Sequence, residues 1–357
     1  MLVGSLELRD FRSYAHENLA LGPGLNVLVG PNGTGKTNLL EAVHVGVQGF
    51  PLRSRRDVTV IRLGAETARV STLGRRASGA SFVTTVVVDR AEGKRVTLDG
   101  KPVESLDELR RAFPTLAFTP DRLAVVKGGP IVRRTYLDRM LGRVMPSRAT
   151  IPAEYGAAVA QRNAALRRVK LGVSSSPAIA PWTESVARLG EALDRYRAEL
   201  VERFGGHLAG RAERLGLPAT RVVYRASTAT VERLDRMLPR DLDRGTTGAG
   251  PHLAEIDVLS GDRDLRAIGS QGEQRLAVLA LLLAEADVLL ETRGEPPLLL
   301  LDDVLSELDD PRRLALLAGL PPSCQTLLTT TSLRMVPPGA PAPSAVIDVA
   351  PGRAVVR

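Results

Sequence analysis

An α/β fold is what the sequence predicts, and three observations carry that expectation. The eight residues Gly30-Pro31-Asn32-Gly33-Thr34-Gly35-Lys36-Thr37 form a complete G-x-x-x-x-G-K-T loop. The loop follows the apolar run Leu25–Val29 and opens a helical pattern through Leu39, Leu40, Ala42 and Val43. A second apolar run, Leu298-Leu299-Leu300-Leu301, ends in the paired acids Asp302 and Asp303, as a buried parallel strand would. Between these two segments lies a helical, Arg-rich stretch of different texture. The expected architecture is a phosphate-loop head with a mixed sheet and a β-rich lobe, built from residues 1–120 and 236–357. A helical arm is inserted at 121–235.

The elements follow in order. The pattern Leu2–Leu8 reads as an opening strand, and Ala68–Leu73, Ser81–Asp89 and Arg95–Leu98 as further strands between Gly-rich or charged turns. From Ile131 the texture is helical, with one pattern to Arg143 and another from Ala153 to Lys170, closed by Ser174-Ser175-Ser176-Pro177. A long amphipathic helix follows. Val186, Leu189, Leu193, Tyr196, Leu200 and Phe204 recur at spacings of three and four and form one stripe, whose expected partner is the Ala153–Lys170 helix. Ala254–Leu259 and Asp264–Ala267 flank a turn and read as a hairpin. A helix from Gln274 to Leu290, the strand Leu298–Leu301, a helix after Pro311 and strands at Gln325–Thr329 and Ala345–Val349 complete the pattern.

Composition sets further bounds. With 357 residues and 44% hydrophobic content, the chain can bury a substantial core. The apolar stretch Leu276–Leu290 is broken by Glu285 and Asp287 and falls short of the ~18 uncharged residues of a membrane span, so no membrane partner is expected. A strand-like N-terminus without a basic leader and a single Cys324 fit a cytoplasmic location. The formal charge is +8, and its distribution is uneven. Residues 121–235 hold 20 Arg and Lys against 11 Asp and Glu, a net of +9, while the remainder nets −1. A polyanion such as nucleic acid is the expected partner of this segment, with Arg133, Arg134, Arg139 and Arg143 as first candidate contacts.

The loop carries recognisable chemistry. Its glycines let backbone N–H groups turn inward around a polyphosphate, Lys36 places a positive charge at the β- and γ-phosphates, and the Thr37 hydroxyl suits Mg²⁺. A nucleoside triphosphate with Mg²⁺ is the expected ligand. At the end of the Leu298–Leu301 strand, Asp302 is expected to hold the metal and Asp303 to orient an attacking water. Lys36, Asp302 and Asp303 are therefore the candidate catalytic groups. Ser270-Gln271-Gly272-Glu273-Gln274 opens a helix whose N-terminus suits an anionic phosphate. Ser306-Glu307-Leu308-Asp309 lies just past the acidic pair.

The order of loop, S-x-G-x-Q segment, acidic pair and S-x-L-D resembles that of ABC-type ATPases, in which the signature of one subunit closes over the nucleotide held by another. More specifically, several segments together resemble the RecF family of SMC-like bacterial recombination mediators. These are Asp10-Phe11-Arg12-Ser13-Tyr14, Pro23-Gly24-Leu25-Asn26, Thr37-Asn38-Leu39-Leu40-Glu41-Ala42, Phe118-Thr119-Pro120-Asp121, Lys127-Gly128-Gly129-Pro130 with Arg133-Arg134, and Leu301 to Asp309. The resemblance implies an ATP-dependent homodimer on duplex or gapped DNA. It also implies weak, DNA-stimulated ATP hydrolysis, and work with RecR and RecO in loading RecA during repair, replication and the SOS response. It places nucleotide contacts at Gly30, Pro31, Asn32, Gly33, Thr34, Gly35, Lys36, Thr37 and Asn38, at Arg12 and Ser13 of the early loop, and at Ser270, Gln271, Gly272 and Glu273 of the signature.

The ABC-type pattern is broken in places. Thr119-Pro120-Asp121 stands where a Gln sensor is expected, and Thr330-Thr331-Ser332 where a switch His is expected. His252, in Thr246-Thr247-Gly248-Ala249-Gly250-Pro251-His252, lacks the acidic pair expected after it and reads as structural. Two other classes compete. An ABC transporter ATP-binding subunit would need the missing Gln and His, and an SMC-like DNA-bridging protein would need a much longer arm.

Overall fold

The structure, a computed structural model, describes residues Met1 to Arg357. The chain divides into two compact units. The first holds residues 1–122, 214–216 and 289–357, and the second 123–213 and 217–288. Residues 236–288 therefore cluster with the helical segment, so the boundary expected at 235 is not a boundary of compactness.

The first unit contains two six-stranded sheets. One is an antiparallel lobe of β1 (Leu2–Phe11), β2 (Tyr14–Ala20), β4 (Thr67–Arg75), β5 (Ser81–Asp89), β6 (Gly93–Leu98) and β7 (Lys101–Pro102), ordered β2-β1-β4-β5-β6-β7. Its strands alternate buried and exposed residues along β4 and β5, as a sheet with one covered face requires. The other sheet is mixed and ordered β15-β14-β3-β13-β12-β8. It comprises β3 (Leu25–Val29), β8 (Thr115–Phe118), β12 (Leu298–Leu301), β13 (Thr326–Thr330), β14 (Ala345–Ala350) and β15 (Arg353–Val356). Only β15 runs antiparallel to its neighbour. The strands β3, β12 and β13 are buried throughout, which is why they read as unbroken runs rather than alternations.

Helix α1 (Lys36–Gln48) joins the sheets into one core. Its Leu39, Leu40, Val43 and Val47 are fully buried with Leu6, Leu8, Val70 and Leu28. Helices α2 (Leu106–Ala112) and α10 (Asp310–Ala318) complete this unit. Three strands of this unit escaped the sequence reading: β2, the two-residue β7 and β15, a four-residue edge strand.

The second unit is not wholly helical. It holds α3 (Ala124–Lys127), α4 (Pro130–Val144), α5 (Ile151–Lys170), most of α6 (Ala180–Arg214), α7 (Val231–Arg244), α8 (Leu265–Ile268) and most of α9 (Gln271–Arg293). Three antiparallel strands, β9 (Thr220–Arg225), β10 (Glu255–Ser260) and β11 (Arg263–Asp264), form a sheet ordered β11-β10-β9. The expected strand Asp264–Ala267 ends at Asp264, whose carboxylate caps α8. All six residues of the α6 stripe are buried. Much of the apolar face of α5, however, meets α7, where Ala165 and Leu166 pack with Leu238 and Leu242. No helix of the chain is long and apolar enough to cross a membrane.

Candidate nucleotide site

The strand order of the mixed sheet builds the site. Strand β13 lies between β3 and β12, all three are parallel, and so their carboxyl ends open on one edge of the sheet. From β3 the chain enters the phosphate loop, where Gly33 and Gly35 take φ of 83° and 104°. A side chain is strained at such angles, so glycine at these two places is a backbone requirement. Gly35 precedes α1 and provides no side-chain cap, which leaves the first-turn N–H groups of α1 without intrahelical partners. The Thr34 hydroxyl donates to Pro31 O at 2.9 Å and braces the turn.

Lys36 and Thr37 sit on the first turn of α1. The Lys36 ammonium donates to Gly30 O at 2.6 Å and Pro31 O at 2.9 Å, so it folds back across its own loop. Burial pushes its pKa below the ordinary lysine value, against the opposing charges of Asp303 and Asp302. The Thr37 hydroxyl donates to both oxygens of Asp302, at 2.9 and 3.1 Å. A second hydroxyl, Thr329 Oγ1 on β13, donates to Asp302 Oδ1 at 2.8 Å and accepts from the Asp303 N–H at 2.9 Å. Asp302 is thus buried and tethered from two elements. Asp303 takes φ of 49°, in the left-handed region rare for residues other than glycine, asparagine and aspartate. The hard oxygens of Thr37 and Asp302, already adjacent, fit Mg²⁺.

The early loop closes one side. Tyr14 Oη donates to Gly35 O at 3.2 Å, and a Cβ at Gly35 would lie 2.9 Å from both Ser13 Oγ and Tyr14 Oη. Asn38 donates to Ser13 Oγ at 3.0 Å and accepts from Arg53 at 2.9 Å. Arg12, at φ 51°, reaches Glu41 of α1. The structure therefore gathers Arg12, Ser13, Lys36, Thr37, Asn38, Asp302 and Asp303 around one loop. Sequence reading missed Thr329, Tyr14, Arg53 and the role of Glu41. The signal for Glu41 was an acid one turn after Asn38, set between the apolar pairs Leu39-Leu40 and Ala42-Val43.

The signature residues lie in the second unit. Ser270 and Glu273 form a reciprocal capping box: Ser270 Oγ accepts from the Glu273 N–H at 3.2 Å, and Glu273 Oε2 from the Ser270 N–H at 2.8 Å. Arg263 holds the other Glu273 oxygen at 2.7 Å. Gln271 and Gly272 are the first two residues of α9, the 23-residue helix that follows.

The arginines expected to contact a polyanion are differently employed. Arg133 is buried, donates to Gly128 O at 2.7 Å and pairs with Glu255. Arg134 donates to Ala254 O, and Arg143 is ion-paired with the buried Glu285. These three are therefore corrected to structural roles, while Arg139 remains exposed. His252 is structural too: its ring meets Tyr155 Oη at 2.7 Å and Thr247 O at 3.0 Å.

A phosphate-loop strand, an acid-ended parallel strand and a threonine strand between them, flanked by an antiparallel lobe, define a nucleotide-binding head of the SMC class. The family model described as the RecF/RecN/SMC N terminal domain matches residues 2–341. The chain belongs to the RecF family. It is 40% identical to "DNA replication and repair protein RecF" of Anaeromyxobacter sp. (strain Fw109-5), over 94% of each chain. With the protein of the same name from Lacticaseibacillus casei (strain BL23) identity is 34%, over 93% of this chain and 94% of that protein. Among solved structures, the recombination mediator protein RecF-ATP in the RecFOR pathway superposes with a TM-score of 0.86 at 25% identity, covering 100% of this chain and 97% of that one. An Smc head bound to the C-winged helix domain of ScpA shares the fold, with a TM-score of 0.63 at 17% identity. Near full-length similarity to RecF proteins sets aside the transporter and the DNA-bridging alternatives.

Proposed function

We propose that the chain is an ATP-driven DNA-binding switch of recombinational repair and replication, acting in the cytoplasm. The observation that carries this reading is the joint between Thr37, Asp302 and Thr329 beside Lys36. It supports this reading because the loop, Asp302 and Asp303 stand at one sheet edge, where they could serve as phosphate cradle, metal ligand and water-orienting acid. Thr37 and Asp302 would hold Mg²⁺, which when bound neutralises charge on the β- and γ-phosphate oxygens. Lys36 leaves its loop carbonyls for the phosphates, and Asp303 orients the attacking water. Aspartate at this position is one methylene shorter than glutamate, in keeping with slow turnover. Asp303→Asn is expected to keep nucleotide affinity within about twofold and to lose about a hundredfold in hydrolysis, measured by phosphate release. Hydrolysis at the wild-type rate would remove Asp303 from the mechanism.

Two copies would form the working unit, with Ser270 to Glu273 of each facing the nucleotide of the other. The closed dimer grips duplex or gapped DNA, and hydrolysis releases it. RecR, RecO and RecA are the partners that family membership suggests. With Arg133, Arg134 and Arg143 committed internally, the grip falls to exposed arginines that take part in no ion pair. Arg167 and Arg168 at the end of α5, and Arg240 and Arg244 on α7, are such residues. Binding of a fluorescent duplex should require ATP and should weaken steeply with salt, with a log–log slope of about −0.9 per phosphate contacted. Replacing the four arginines by alanine should flatten that slope. Binding unchanged between about 50 and 200 mM salt would overturn the electrostatic grip.

A further inference from the structure

Glu41 is an acid with no access to solvent, three residues after Asn38 on the same face of α1. A buried carboxylate is costly unless it is paired and hydrogen-bonded, and this one is paired twice. Its Oε2 accepts from Arg12 Nε at 2.9 Å and from Arg53 NH2 at 3.2 Å, and its Oε1 accepts from the Arg53 backbone N–H at 3.3 Å. The two arginines come from separate loops, and each keeps solvent access, 22% and 36% for the side chains. Arg53 also bonds Asn38, which holds Ser13, and Ser13 abuts Gly35 of the phosphate loop. The trio carries a net charge of +1 beside a site built for a polyanion. Burial opposes ionisation of Glu41, yet the hydrogen bond from Arg12 and the charges of Arg12 and Arg53 hold its pKa below the ordinary value.

We infer that Glu41 is a positioning residue. It clamps Arg12 and Arg53 together at the mouth of the phosphate loop, so that their remaining N–H groups form a preset binding site for the nucleotide's phosphates. This rests on the nucleotide-binding reading above and adds Arg53 and Glu41 to it. Arg12 contributes only its Nε to the carboxylate, and this leaves the terminal NH₂ groups of its guanidinium for a ligand. The alternative role, a counter-charge that merely lets two arginines coexist, makes the opposite prediction. A carboxylate near phosphates repels them, so its neutralisation would tighten binding if it held nothing in place.

The test is calorimetric titration of the full-length protein with a non-hydrolysable ATP analogue and Mg²⁺, beside thermal melting without nucleotide. Arg12→Ala and Arg53→Ala should each weaken binding about tenfold, as loss of a charge-assisted phosphate contact does. Glu41→Gln should weaken it by a similar factor. Adding Arg12→Ala to Glu41→Gln should cost less than about twofold more, because the clamp is already open. Tighter binding by Glu41→Gln, or additive losses in the double variant, would overturn the clamp. Should Glu41→Gln fail to fold, the two arginine variants decide: wild-type affinity in both would overturn the inference. Absence of analogue binding by the wild-type protein would sink the nucleotide reading and this inference with it, whereas binding by the wild type and by every variant alike would sink the inference alone.

Discussion

Lys36→Ala is expected to reduce ATP affinity by about a hundredfold or more, read by titration calorimetry or displacement of a fluorescent analogue. The side chain is the only cation bonded to the loop carbonyls, and a methyl group replaces it with nothing that could reach a β- or γ-phosphate. Lys36→Arg should fail too. A planar guanidinium cannot replace a point charge within 2.6 Å of Gly30 O and 2.9 Å of Pro31 O without displacing the loop. The fold should survive both changes, since α1 is anchored by its apolar face. Retention of wild-type affinity by Lys36→Ala would mean that the loop does not hold the phosphates.

Arg162→Ala is expected to cost about 3–5 kcal/mol of stability, the usual penalty for orphaning a buried charge. Arg162 has no solvent access, and it joins four parts of the second unit. Its guanidinium donates to Asp241 Oδ2 of α7 at 2.7 Å, to Thr183 of α6 at 3.1 Å and to Thr247 at 3.0 Å, all from α5. Asp241 also accepts from the Gly248 N–H at 3.0 Å. Asp241→Ala should cost a similar amount, and the double variant less than the two losses combined, because neither charge is then left alone. Urea unfolding followed by circular dichroism would measure all three. A loss below about 1 kcal/mol for Arg162→Ala would show that the pair is no more than a surface-type contact.

The legible parts of the chain were those with a single dominant signal. The phosphate loop, Leu25–Val29, Ser81–Asp89 and Leu298–Leu301 stand in the structure at the limits read from the sequence. Asp302 and Asp303 were legible because acids that end an unbroken apolar run mark the point where a buried strand opens onto the edge of its sheet. What escaped was charge placed indoors. A sequence reading sends Arg133, Arg143, Arg162 and Glu41 to solvent, since lone charges belong there. Arg133, Arg162 and Glu41 are buried, and Arg143 is half-buried, because a partner distant in sequence pairs each: Glu255, Asp241, Arg12 and Glu285 respectively. Helix α7 was hidden for a related reason. Pro239 lies within it and charged residues crowd it, so its apolar stripe of Leu234, Leu238 and Leu242 is diluted. Thr329 was invisible as a site residue because nothing local marks a threonine on an all-buried strand as an acid's partner.

The pairing of β3 with β13 and β14 imposes a schedule on synthesis of the chain. Leu25 to Val29 pair with Thr326 to Thr330 on one side, Asn26 to Val29 pair with Ala345 to Asp348 on the other, and Val3 is bonded through the side chain of Gln325. The nucleotide loop therefore emerges from the ribosome long before either neighbour of its strand. At about 5–20 residues per second, the wait is on the order of 15–60 s. During it, β3, a strand buried along its whole length in the finished sheet, lacks both of its neighbours, while α1 can already pack on the antiparallel lobe. Contacts of such long sequence separation also fold slowly once the chain is complete. A chain that has not yet reached Thr326 is accordingly expected to leave the edges of β3 open to non-native association.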